Sequence, residues 1–188
     1  EAENVAFVKL LLKGKAPLES YIALIAALKP IYGALEKAAD RVSRSCPAVA
    51  SVCDDTLPQL RRYESLEQDL AYYRRRCPDM TKRAEAFARR SKATSEYVAS
   101  LDSWPTTGPK AEALVAHLYT RYLGDLSGGQ ILRRAAVRAY GLTPPGGTTL
   151  DAVDGVRFYD FKLIGKPTKL RRFKDEYRRR LDDLRVAD

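Results

Sequence analysis

Apolar residues recur every three or four positions along most of the chain, the spacing of one face of an α-helix, and no stretch alternates as a half-buried strand would. Ala2, Val5, Val8 and Leu12 mark a first helix that Gly14 ends. Glu1 and Glu3 already form an acidic first turn with no Ser, Thr or Asp to cap it, so the sequence is expected to begin inside that helix. A second helix starts at Pro17 and carries Tyr21, Ile22, Leu24, Ile25 and Leu28. Pro30 should kink it before it resumes through Tyr32, Leu35 and Ala38. Residues 43–56, rich in Ser, Cys, Pro and Asp, read as a loop. Helices are expected at about 58–75 and 78–101, with 103–109 as a connector. From Lys110 to Tyr140 no proline interrupts the helical beat. Residues 143–155 read as a turn region, 156–163 as a short extended pairing, and 167–184 as a final basic helix. The pattern predicts an all-α fold, with residues 1–188 forming one domain.

A length of 188 residues suffices for one sizeable core. No apolar run approaches the roughly 20 residues that a bilayer span needs. With one His and an odd set of three cysteines, Cys46, Cys53 and Cys77, a zinc site is hard to assemble, and a reducing compartment is the simpler reading. Cys46-Pro47 and Cys77-Pro78 suit helix starts better than ligand contacts. The net charge of +9 suits an acidic partner, an anionic membrane, nucleic acid or a carboxylate ligand, and equally a basic surface that only aids solubility.

The chemistry concentrates in His117-Leu-Tyr-Thr-Arg-Tyr-Leu-Gly-Asp-Leu-Ser-Gly-Gly-Gln130. Gly124 and Gly128 are four apart and share a helix face, where the missing Cβ atoms let a flat ligand lie almost on the backbone. Gly129 lets the helix bend there. Spacing alone favours a helix-packing face over such a platform. Each glycine costs roughly 1 kcal/mol relative to Ala inside a helix, so the cluster needs a reason. Arg121 and Asp125, at i and i+4, make either a surface ion pair or a carboxylate that orders water over a ligand.

The Tyr-Leu-Gly-Asp-Leu-Ser-Gly-Gly-Gln run resembles the signature of the haem oxygenase family. The likeness extends to Ala2-Glu3-Asn4 with Phe7, Ile31 to Glu36, Leu66 to Leu70 and Phe173 to Arg178, and so covers nearly the whole chain. It implies a haem oxygenase-like helical fold with a kinked distal helix over the haem. It also implies an enzyme that binds haem as cofactor and substrate and cleaves it, with O2 and electrons, to biliverdin, carbon monoxide and ferrous iron. By that resemblance Asp125 is the distal carboxylate that holds a water, with Arg121 and Tyr32 in the same hydrogen-bond network. Gly124 and Gly128 face the haem plane, and Tyr119, Lys174 and Arg178 hold its propionates. Leu132 and Val8 match pocket-wall positions, and Glu3 sits one turn after the axial histidine. That histidine is expected two residues upstream of Glu1, and a closing helix after Asp188.

His117, 11 residues before Gly128 on the distal helix itself, reads as a packing or capping residue and not as the iron ligand. The implied partners are an acidic electron donor, either an NADPH-dependent flavoprotein reductase or a ferredoxin, and a downstream biliverdin reductase. Arg171, Arg172, Arg179 and Arg180 are assigned to solvent or to docking that donor. A monomer in the cytoplasm or facing the cytosol is expected, without nucleic acid and with any membrane tail anchor outside the sequence. Two other readings remain: a non-catalytic haem-binding or regulatory relative without the axial His, and a basic helical scaffold or nucleic-acid binder. The second explains the charge but not Gly124, Asp125, Gly128 and Gly129 together.

Overall fold

The computed structural model describes residues 6–54, 56–142, 153–161 and 167–184, and every regular element among them is helical. The first helix, α1, spans Ala6–Leu12 and ends at Gly14, whose φ of 68° is a left-handed conformation that costs glycine little. Ala2, Glu3 and Val5 lie outside the described residues.

The longest apolar stripe becomes the hub. Helix α2, Leu18–Val42, continues through Pro30 and buries Tyr21, Ile22, Ile25, Ile31, Leu35, Ala38 and Val42. It is long and apolar enough to cross a membrane, but that face is committed to the core. It packs against α5 (Tyr63–Arg76), α6 (Pro78–Arg89) and α7 (Lys92–Asp102). The Arg41 guanidinium at its C-terminal end reaches the carbonyls of Leu101 and Trp104, at 3.0 and 3.3 Å, and satisfies acceptors left open where α7 ends.

Three stretches expected as single helices are each broken, and the partners that break them come partly from distant sequence. The 58–75 stretch divides into α4 (Leu57–Leu60) and α5 because the Glu36 carboxylate accepts the backbone N–H groups of Arg62 at 2.6 Å and Tyr63 at 3.0 Å. The 78–101 stretch divides at Ser91, whose hydroxyl accepts the Thr94 N–H at 3.2 Å and caps α7. The 110–140 stretch divides at Ala113 into α8 (Pro109–Glu112) and α9 (Leu114–Ala139), and α9 then runs unbroken through all three glycines.

Two further expectations are corrected. The 43–56 segment contains a helix, α3 (Pro47–Cys53), started by Pro47 and held by buried Val49, Val52 and Cys53. Cys46 and Cys77 each precede a proline that opens a helix. Residues 156–161 do not pair as extended chain; they hold a 3-10 turn at Arg157–Tyr159. The reason is Asp69, fully buried, whose two carboxylate oxygens accept the N–H groups of Arg157 and Phe158, each at 2.8 Å. The basic helix α10, Pro167–Asp182, lies against α3 and α9.

Candidate functional site

Helix α9 presents its glycines on two different faces. Gly124 and Gly128 are exposed, and a Cβ on either would meet no other atom within 4 Å. Gly129 is buried, and a Cβ there would lie 3.1 Å from Cδ1 of Tyr159. Helix-type packing therefore explains Gly129, while Gly124 and Gly128 leave an open strip of bare backbone.

Beside that strip is a cleft of about 450 Å³. Leu28 and Tyr32 line it from α2, Tyr97 from α7, and His117, Thr120, Arg121, Gly124 and Asp125 from α9. The α9 residues repeat at steps of three or four, so one helical face supplies most of the wall. The Tyr32 hydroxyl donates to Oδ2 of Asp125. Burial raises the Asp125 carboxyl to about 7, while the Tyr32 hydrogen bond and the positive charges of Arg62 and Arg121 pull the other way. Burial, and then the Asp125 charge, hold the Tyr32 phenol well above its ordinary range. The cleft thus pairs a carboxyl that changes protonation near neutral pH with a hydroxyl that keeps its proton.

Its outer wall is aromatic and cationic. The Arg121 guanidinium lies 5.2 Å from the centroid of the Tyr97 ring. The Tyr97 hydroxyl and Nδ1 of His117 are 2.7 Å apart, and the His117 ring is wedged between Tyr97 and Trp104 at 5.5 and 4.8 Å. Burial and the Arg121 charge lower the His117 pKa, which favours the neutral ring. His117 is thus a packed wall residue.

A second groove, about 440 Å³, runs between α9 and α10 and shares Ala116 with the first. Tyr119 and Arg178 both line it. The groove brings a guanidinium and a phenol to one lining, together with the carboxylates of Glu112 and Asp182.

The family model described as Heme oxygenase matches residues 1–188. The chain belongs to the haem oxygenase family. It is 42% identical over 188 residues to the heme oxygenase of Pyropia yezoensis, covering all of this chain and 69% of that protein. It is 38% identical over 191 residues to heme oxygenase 1 of a Nostoc species, with the same coverage. The crystal structure of heme oxygenase-1 from the cyanobacterium Synechocystis, in complex with heme, superposes with a TM-score of 0.77 at 36% identity. That match covers all of this chain and 74% of the other. Heme oxygenase-2 from the same organism, in complex with heme and NO, gives a TM-score of 0.79 at 33% identity, covering all of this chain and 68% of the other.

Within this haem oxygenase, Tyr32, Arg121, Gly124 and Asp125 meet at the cleft, and Gly128 continues its floor one turn along α9. Tyr119 and Arg178 both line the neighbouring groove, and Lys174 is half-buried one turn earlier on α10. Leu132 is half-buried on α9 and Val8 on α1, which packs against α9, but neither lines the cleft. Glu3 lies outside the described residues. Tyr97 and Arg62 are site residues that the sequence did not single out. His117, expected as a packing or capping residue, packs in the cleft wall, whereas Tyr97 and Arg62 arrive from α7 and the α4–α5 junction with no local signal.

Proposed function

We propose that this haem oxygenase binds haem flat on the bare backbone of Gly124 and Gly128, with Asp125 governing proton delivery beside it. The open strip at those two glycines, next to the bond between Tyr32 and Asp125, carries the reading. The residues present fit the group: no side chain fills the place of the missing Cβ atoms, and Arg178 and Tyr119 line a neighbouring groove where they can donate to its carboxylate arms. When bound, haem supplies an iron that takes up O2 and electrons, and it is itself the substrate opened to biliverdin, carbon monoxide and ferrous iron.

The chain's own residues then have distinct tasks. Asp125, able to gain or lose a proton near neutral pH, holds a water in the cleft and exchanges protons with it. Tyr32 fixes the carboxylate by donating to Oδ2, and Arg121, held over the Tyr97 ring, keeps positive charge close by. Lys174 and Arg178, at i and i+4 on α10, with Tyr119, orient the propionates and so select which edge of the ring faces Asp125. Electrons come from an acidic flavoprotein reductase or ferredoxin that docks near exposed Arg171 and Arg172.

The test is turnover of haem by the full-length protein, with ascorbate as reductant and catalase present. Biliverdin with release of carbon monoxide is expected. Haem binding without bilin would instead mark a non-catalytic relative, and no Soret band on adding haemin would remove the reading altogether.

A further inference from the structure

The segment 153–161 crosses behind α9, and an unusual number of buried polar groups fasten it. Asp69, fully buried on α5, takes the N–H groups of Arg157 and Phe158. Arg62, 5% exposed, donates Nη1 to the carbonyls of Phe158 at 3.2 Å and Asp160 at 2.7 Å, and its guanidinium sits 4.0 Å from the centroid of the Phe161 ring. Gln130 of α9 donates to the Tyr159 carbonyl at 2.8 Å. Tyr73 donates to the carbonyl of Gly155 at 3.2 Å. Burying a carboxylate and a guanidinium costs several kcal/mol each before any partner is found, and apolar side chains would hold a strap against a core at lower cost. What charged groups supply is register: each bond names one backbone atom, so the strap fits in one way only.

That register reaches the oxygen-handling site by two short routes. Phe158 packs edge-on against the Tyr32 ring at 5.4 Å, and Tyr32 holds Asp125. Tyr159 fills the space left by the missing Cβ of Gly129, one turn beyond Asp125 on α9, so its ring fixes how far the helix sits from the core. Arg62 also acts directly, since its charge bears on Asp125 more strongly than that of Arg121.

We propose that the 153–161 strap sets the position of the Asp125 carboxylate, with Asp69 as a positioning residue that acts through Phe158 and Tyr159 and Arg62 as one that both fastens the strap and faces the carboxylate. The proposal rests on the haem oxygenase reading only for its consequence in turnover. Its structural core can be tested in the ligand-free protein.

The groups that face Asp125 are Tyr32 from α2, Arg62 from the α4–α5 junction, Arg121 and Tyr122 from α9, and Tyr159 from the strap. Asp69→Asn and Gln130→Ala each remove a fastening of the strap and substitute none of these. Ala88→Gly, buried on α6, serves as a control of matched instability. In the ligand-free protein, carboxyl NMR of labelled Asp should show the Asp125 ionisation displaced by about half a pH unit or more in both strap variants and unmoved in the control. With haem and ascorbate, the strap variants should form about twofold less biliverdin per reducing equivalent, while Asp69→Glu recovers part of the yield. If the strap variants lose thermal stability as the control does and leave the Asp125 ionisation where it was, the strap is only structural and the proposal is overturned. A displaced ionisation in a protein that makes no biliverdin would instead retain the positioning and refute the catalytic reading.

Discussion

At the residue scale, Asp125 brings the chemistry to one atom pair. Its carboxyl ionises near pH 7 when folded and near about 4 when unfolded, so the folded state binds more protons between those values. The sign follows: the stabilisation is complete below about pH 4 and is lost as pH rises towards 7. Asp125→Asn cannot titrate and should flatten that part of the profile, so thermal melts of the ligand-free protein from pH 4.5 to 8 should differ from the parent's most strongly in slope, at about pH 4 to 7. Asp69, raised to about 7 by its own burial, titrates in the same window and remains in the variant, so the slope should fall without vanishing. Asp125→Ala should leave haem affinity nearly unchanged and cut the biliverdin yield about tenfold or more, because binding rests on α9 backbone and α10 cations while proton control rests on this carboxyl. An unaltered yield from that variant would remove Asp125 from its role. The i, i+4 spacing brought Arg121 and Asp125 together but left a surface ion pair open, and the resemblance supplied their role and their partner Tyr32; Tyr97 and Arg62 were missed, because contacts that span tens of residues leave no spacing to read.

At the element scale, the same logic separates faithful from failed expectations. The helical period identified α2 and α9 because their own residues dictate burial, whereas the breaks at Arg62 and in the 157–159 turn are imposed by Glu36 and Asp69 from other elements. Composition misled at 43–56, where Ser and Cys suggested a loop but Pro47 and three buried residues build α3. The glycines of α9 yield a prediction with opposite signs. Gly124→Ala and Gly128→Ala place a methyl in open space within a helix, so each should stabilise the ligand-free protein by roughly 0.5–1 kcal/mol. That methyl stands where haem is proposed to lie, so haemin affinity measured by Soret titration should drop about tenfold or more. Gly129→Ala should instead destabilise, because Tyr159 must give way. A stabilised variant that binds haem as the parent does would show that the ring lies elsewhere. On α10, Lys174→Glu with Arg178→Glu should change which meso position is cut, read as a shift in bilin isomers by chromatography; a single unaltered isomer would deny α10 the propionates.

At the scale of the whole molecule, the excess of nine positive charges is distributed unevenly in what it can do. On α10, Arg179 is engaged by Glu176 and Asp183, and Arg180 by Glu176 and Thr56. Arg171 and Arg172 are exposed on the same helix, ahead of Lys174 and Arg178. A charged donor is steered by such groups over distances comparable to the Debye length, about 8 Å at physiological salt, so they should govern encounter more than chemistry. Arg171→Glu with Arg172→Glu lowers the net charge by four from +9. Turnover supported by an acidic reductase or ferredoxin at low salt should then slow about threefold to tenfold through the donor's KM, and raised salt should bring parent and variant together. Turnover driven by ascorbate, a small reductant that needs no docking, should be the same in both. Equal slowing with ascorbate would place these arginines in the site itself, and no slowing with either reductant would move the docking surface to another face.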